Sequence, residues 1–352
     1  MSQLPLFGHL AGRESDTPTS VGLGPIPPAD PDLAELAAQL PPTLRFGCCS
    51  WTFRGWEQVY RREYSSDKMF HRHALVEYAA FPMFRSVEID STYYAPPEVQ
   101  ALRSYAHDIR EGVPGAPVGD SAAASQIEPP DFNCALKVWS ELTTVVFPRH
   151  RRFGARAGMR NPHFLDPSRF ADTFVGPIED ANFGPLGPLI VEIPPIPRGA
   201  IDTHLIATAL ARFLAQAPSG YRYAIEVRNP ELLTERHFAI LRDYGAAHVY
   251  TFHARMPPIA EQLKRCTVTE APLAVCRLML PPGASYQEQK DRFKPFSTIQ
   301  EPQRAMRSDV VRLIREASMA EIPTYVYCNN KAEGCSPATA IAIARQLISD
   351  DD

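Results

Sequence analysis

Seven cysteines are scattered through the 352 residues, at 48, 49, 134, 266, 276, 328 and 335, and none forms a CxxC pair. An odd number without paired spacing argues against a secreted disulfide framework and fits reduced thiols in a cytosolic protein. No apolar run reaches the length of a membrane span, so no membrane partner is expected. Met1 to Leu10 carries no Lys or Arg, so the charged-then-apolar pattern of a secretory signal is missing and the cytoplasm is the expected compartment. Charge of one sign is also lacking. Thirty-six Lys and Arg against 40 Asp and Glu leave a formal charge of -4, which excludes a surface built throughout for nucleic acid or anionic lipid but leaves a local basic patch open. A glycine-rich phosphate turn is absent too: after the first strand candidate the chain reads Gly47-Cys48-Cys49-Ser50-Trp51, with no GxGxxG and hence no nucleotide-cofactor motif.

What the sequence does have is rhythm. Residues 1–43 stand apart as an extension with eight prolines, in which Asp32 to Leu40 could form one short helix. From residue 44 to 352, apolar runs rich in β-branched and aromatic residues alternate with helix-period stretches. The strand candidates are Arg45–Trp51, Ser86–Tyr93, Asn133–Trp139, Pro188–Pro194, Arg222–Arg228, His248–His253, Ala274–Leu280 and Thr324–Asn330. Each is followed by at least one helix candidate. Parallel neighbours need crossover connections, and eight βα units in one chain close most economically into a (β/α)8 TIM barrel, an α/β fold in a single domain. Residues 111–131 look like a surface insertion. The Arg-rich loop 140–166 and the Pro-rich loop 281–299 leave the C-terminal ends of strands, where this fold builds its sites, and are candidate lids.

Six stretches in order carry a family resemblance: Phe46-Gly47-Cys48-Cys49-Ser50-Trp51, Val87 to Tyr94, Ala135-Leu136-Lys137-Val138, Leu186 to Pro195, Tyr223 to Pro230 and Tyr325 to Asn330. The chain resembles the DUF72 (YecE-like) family, which implies a TIM barrel and no established activity. It departs from the family pattern at four places. Asp90 stands where Asn is usual, Glu192 where Gln is usual, Leu278-Met279-Leu280 where a His-Gly pair follows the Arg, and Lys331 where an aspartate follows the Asn pair.

Strands of a parallel barrel are buried on both faces and should read as apolar runs, so charges within them need a reason. Glu88, Asp90, Lys137, Glu192, Glu226, Arg228, Arg277 and Asn329 interrupt strands two to eight. Side chains alternate along a strand, so Glu88 shares a face with Asp90 and Glu226 with Arg228. If those faces look inward, a charged ring converges on one mouth and points to an enzyme of hydrolase, isomerase or lyase type acting on a small anionic or sugar-phosphate-like molecule. Glu226, Lys137 and Glu88 are the expected catalytic groups. Arg228, Arg277, Asp90, Asn329 and Trp51 are expected to bind substrate, with Lys137 and Arg277 clamping an anion.

Three uses of the carboxylates stay open. Asp90, Glu192 and Glu226, with His253, offer ligands for a divalent ion such as Mg2+ or Mn2+. Two carboxylates could serve as the pair of a glycosidase, although Arg277 occupies strand seven, where many barrel glycosidases keep a carboxylate. Glu226 could act as a simple base with Lys137 as acid. A lone histidine such as His253 is more often a hydrogen-bonded structural residue than a ligand. Arg149-His150-Arg151-Arg152, with Arg156 and Arg160, forms the one basic cluster. It is either a solvated face or a lid over nucleic acid, which makes a metal-dependent nuclease or phosphodiesterase one rival reading and a non-catalytic metabolite-binding barrel another.

Overall fold

A computed structural model describes residues 23–113 and 131–349, the side chain of Arg152 excepted. The first half of the proline-rich extension, residues 1–22, and most of the expected insertion, residues 114–130, lie outside the described residues. The remainder of the extension carries a helix, Pro31–Ala38, begun by Asp30, whose carboxylate accepts from the Asp32 amide at 3.0 Å. This helix buries Leu33 and Ala37 and touches the C-terminal helix Ser336–Ser349, so residues 31–38 rest on the outside of the barrel.

Eight parallel strands follow: β1 (Leu44–Cys48), β2 (Ser86–Ile89), β3 (Asn133–Lys137), β4 (Leu186–Ile193), β5 (Tyr223–Val227), β6 (Ala247–Phe252), β7 (Ala274–Leu278) and β8 (Thr324–Cys328). Their hydrogen-bonded order runs β1-β8-β7-β6-β5-β4-β3-β2, which brings β1 and β2 to the two ends of the sheet. Those ends meet. The Arg85 amide donates to the Phe46 carbonyl at 3.1 Å, and the Tyr78 hydroxyl accepts from the Cys48 amide at 2.7 Å while donating to the Ser86 carbonyl at 2.9 Å. Gly47 permits this approach, because a Cβ there would overlap the Ser86 carbonyl oxygen and come within 3.2 Å of Tyr327. The result is a (β/α)8 TIM barrel.

Each expected helix is present, with start signals of ordinary chemistry. Ser66, Asp166, Asp202 and Thr234 cap helices starting at Asp67, Pro167, Thr203 and Glu235 by accepting from backbone amides. The apolar faces of these helices and the outward side chains of the strands form one large core. Inside the ring a second, smaller core contains Ala135, Ile190, Ala224, Val249, Val275, Tyr325 and Tyr327. Layered side chains therefore fill the barrel from below.

The strands end earlier than their hydrophobicity predicts. β2 stops at Ile89, and Asp90–Tyr93 coil into a 3-10 turn. Thr92 draws the chain in, its hydroxyl making contacts of 2.9 Å to the Ile89 carbonyl and 2.7 Å to the Lys137 carbonyl. The long loop after β3 is also structured. Val146 and Arg160 form an antiparallel bridge, and Phe147 and Met159 hydrogen-bond at 3.0 Å. Among the described residues no helix is long and apolar enough to cross a membrane, and all seven cysteines are buried and unpaired.

Candidate functional site

Two residues above the apolar interior layer, the same inward faces turn to charge. Ala135 is succeeded by Lys137, Ile190 by Glu192, Ala224 by Glu226, and Val275 by Arg277, as strand alternation requires. Glu192 and Glu226 are register partners on β4 and β5, an arrangement that repels unless cations intervene. Two do. Arg228 places Nη2 at 3.0 Å from Glu192 Oε2 and 2.8 Å from Glu226 Oε1. Arg277 Nη1 bonds both Glu192 Oε2, at 2.9 Å, and Glu226 Oε2.

Arg277 is the hub of the floor. Its Nε and Nη2 hold Glu88 as a fork, at 2.8 and 2.6 Å, while Nη1 serves Glu192 and Glu226. Its side chain, like those of Glu88 and Glu226, is fully buried. Burial alone would lower the Arg277 pKa, but Glu226 and Glu88 hold it well above its usual value. Burial pushes the Glu88 carboxyl up against the pull of Arg277.

Above this floor lies a mouth of about 600 Å³. Lys137 reaches it with Nζ 3.0 Å from Asp90 and 3.1 Å from Glu192, and 3.8 Å above the centre of the Tyr93 ring. Burial opposes the Lys137 ammonium, yet Asp90 and Glu192 keep its pKa well above the ordinary lysine value. Glu192 Oε2 thus faces three cations at once. Against its own burial, Arg228, Lys137 and Arg277 hold its carboxyl well below the usual carboxylate range.

The structure divides the expected site residues by depth. Asp90, Lys137, Glu192, Arg228, His253, Arg277 and Asn329 line the mouth. Glu88 and Glu226, expected as catalytic groups, do not: they are fully buried, sealed against Arg277 and Arg228. The expected anion clamp at Arg277 is corrected likewise, because carboxylates already occupy each of its three nitrogens. Asn329 spends its side-chain oxygen on the Lys331 amide at 3.1 Å, which caps the next turn. Trp51 is not in the mouth. The chain leaves β1 after Cys48 and turns Trp51 against Tyr105 of the helix Val99–Gly112, edge-on at 5.4 Å, while Trp56 takes the place in the wall.

The expected Mg2+ or Mn2+ ligands do not fit a metal. The oxygens of Asp90, Glu192 and Glu226 are turned to ammonium and guanidinium groups. His253 Nδ1 accepts from the Arg255 amide at 3.3 Å. Burial, then Arg228, pushes the His253 pKa down to about 3, so the ring is neutral near pH 7. Among the described residues no three His, Cys, Asp or Glu side chains gather where they could hold a metal ion.

Both candidate lids contribute walls. The loop after β3 supplies Pro148, Arg149, His150 and Phe153, and the loop after β7 supplies Tyr286. Arg156 of the basic cluster is tied to Glu141 at 3.0 and 3.2 Å and faces away from this role. The most informative residue missed as a site candidate is Lys331. It lines the mouth from the turn after β8, Nζ 4.4 Å from the centre of the Tyr286 ring, with no ion pair among the described residues. Its signal in the sequence was the departure from the expected aspartate.

No curated protein matches the chain. Solved structures are similar in fold. A DUF72 family protein from Thermotoga maritima is 20% identical, over 87% of this chain and 99% of its own, with a TM-score of 0.55. One from Enterococcus faecalis is 14% identical, over 87% of this chain and 95% of its own, with the same TM-score. The family model described as "Protein of unknown function DUF72" matches residues 45–114 and 122–351. From β1 to the final helix, the chain belongs to the DUF72 family.

Proposed function

We infer that this barrel is an enzyme whose mouth takes a small polar anion, carboxylate or sugar-phosphate-like. One observation carries the reading. Among the described residues, Lys137, Arg149, Arg228 and Lys331 line the mouth against two carboxylates, Asp90 and Glu192, and Arg277 is spent on the buried Glu88 and Glu226. Arg149 and Lys331 have no ion pair among the described residues, and the buried Nε of Arg228 has no acceptor. An unmet donor is costly, and an anionic ligand would supply acceptors to a rim held in place by the salt-bridged floor.

The residues we assign to substrate are Lys137, Arg228, Arg149 and Lys331, with Asp90 and Glu192 holding Lys137 charged. Glu88, Glu226 and Arg277 position this set from below. Seven reduced, buried thiols favour the cytoplasm as the compartment.

Calorimetric titration with inorganic phosphate and with a hexose phosphate tests the reading. Binding with a Kd at or below about 1 mM supports it, and absence of heat with both at low salt removes it. The exposed Arg149, Arg151 and Arg160 favour one rival, a nuclease or phosphodiesterase on a nucleic-acid backbone. Tight, steeply salt-dependent binding of a labelled oligonucleotide, without phosphate binding, would move the assignment there. Anion binding without turnover of any phosphate ester or sugar phosphate would leave a metabolite-binding barrel.

A further inference from the structure

The turn after β8 is built to hold one side chain still. Asn329 accepts from the Lys331 amide at 3.1 Å. The side-chain oxygen of Asn330 accepts from Trp56 Nε1 at 3.1 Å, from the Ser336 amide at 2.8 Å and from the Ser336 hydroxyl at 2.9 Å. Asn330 is buried, and Trp56 is fully enclosed. The residue just before Lys331 is therefore fixed to β1's outgoing loop and to the C-terminal helix. From this anchored turn Lys331 enters the same mouth as Lys137 and Arg228.

The two lysines have opposite surroundings. Lys137 is gripped by two carboxylates and stays an ammonium. Lys331 lies over an aromatic ring and has no carboxylate within ion-pair distance among the described residues. Burial pushes the Lys331 pKa down to about 8, so a substantial share of its amine is neutral and nucleophilic near pH 7.5.

We propose that Lys331 is the nucleophilic amine of the mouth and forms an imine with the carbonyl carbon of a small substrate that also bears an anionic group. The proposal rests on the anion-binding reading above and adds the substrate's second functional group. The neutral Nζ attacks the carbonyl carbon, and the π pair of C=O moves to oxygen. That oxygen takes one proton from the attacking nitrogen and a second from solvent and leaves as water, giving a C=N bond whose nitrogen keeps its remaining proton and carries the positive charge. No oxidant or reductant is consumed. The cationic imine acts as an electron sink for breaking a bond at the neighbouring carbon, and Lys137 and Arg228 serve the anionic end.

Trapping tests this directly. The full-length protein is incubated with pyruvate, and separately with dihydroxyacetone phosphate, in the presence of sodium cyanoborohydride, then digested and mapped by mass spectrometry. With at least one probe, reduced adduct is expected on Lys331 at 10-fold or more above any of the other five lysines, and suppressed by competing phosphate. Its yield should rise with pH through a midpoint near 8. Lys331→Arg should abolish the adduct while leaving the thermal unfolding transition near wild type. Even labelling over the surface lysines, or none at Lys331 with both probes, overturns the proposal. If phosphate still binds in that case, the anion site survives and only the imine is lost. If neither phosphate nor probe binds, the anion reading itself has failed.

Discussion

Glu226 of the fifth strand and Arg228, one residue past its end, form an ion pair at 2.8 Å, yet only Arg228 reaches the mouth. Two residues along the chain separate a sealed carboxylate from a guanidinium that lines the mouth. This step in depth decides which charges meet a ligand and which only support the ones that do.

Lys137→Ala removes the cation shared by Asp90 and Glu192 and leaves the upper mouth more acidic. Phosphate affinity is expected to fall by at least about 10-fold, equivalent to about 1.4 kcal/mol. Calorimetry on a variant confirmed as folded by circular dichroism measures it, and unchanged affinity would place the anion elsewhere.

Arg277→Met should damage stability more than any substitution in the rim. It strands Glu88 and Glu226 without their shared partner in a region closed to water. Breaking a buried pair from one side costs about 3–5 kcal/mol, and replacing both sides costs less. Urea denaturation should show that loss in the single variant and partial recovery in Glu88→Leu/Arg277→Met.

A histidine of the helix Glu235–Asp243 and one of the sixth strand set a pH dependence. His237 and His248 pack with ring centres 6.0 Å apart, and burial pushes their pKa values down to about 3 and about 4. Both are neutral when folded, while the unfolded chain takes up protons below about 6.5. Stability from this pair is complete above that pH and is lost as pH falls towards 4, at up to about 1.4 kcal/mol per pH unit for each ring. Urea unfolding between pH 7 and 4.5 should show a slope that His248→Asn makes shallower. Equal slopes in the two proteins would show that His248 is not responsible.

Gly47→Ala tests the meeting of the first and second strands. The added methyl overlaps the Ser86 carbonyl, backbone that has little freedom to retreat. A loss of about 1–3 kcal/mol is expected, readable as a lowered thermal midpoint, with phosphate affinity retained if the variant folds.

Much of this architecture was legible because parallel strands leave a two-sided apolar signature and helices a 3.6-residue one. Alternation was expected to pair Glu88 with Asp90 and Glu226 with Arg228, but Asp90 and Arg228 both lie past the ends of their strands. Depth was not legible, since it depends on which cations each carboxylate meets: Glu192 and Glu226 are register partners, yet only Glu192 lines the mouth. Direction beyond a strand end was equally hidden. Trp51 and Trp56 follow the same strand, and the loop's course alone sends one to the helix Val99–Gly112 and the other to the wall. Lys331 lay in a turn, where neither periodicity marks which way a side chain points.

The guanidinium-carboxylate floor also partitions the barrel. Its ionic groups lie between the mouth and the tyrosines of the eighth strand, which belong to the small interior core below that plate. The ion pairs of Arg277 with Glu192 and of Arg228 with Glu226 tie that plate to the entrance, so free-energy changes from altering the two should couple rather than sum.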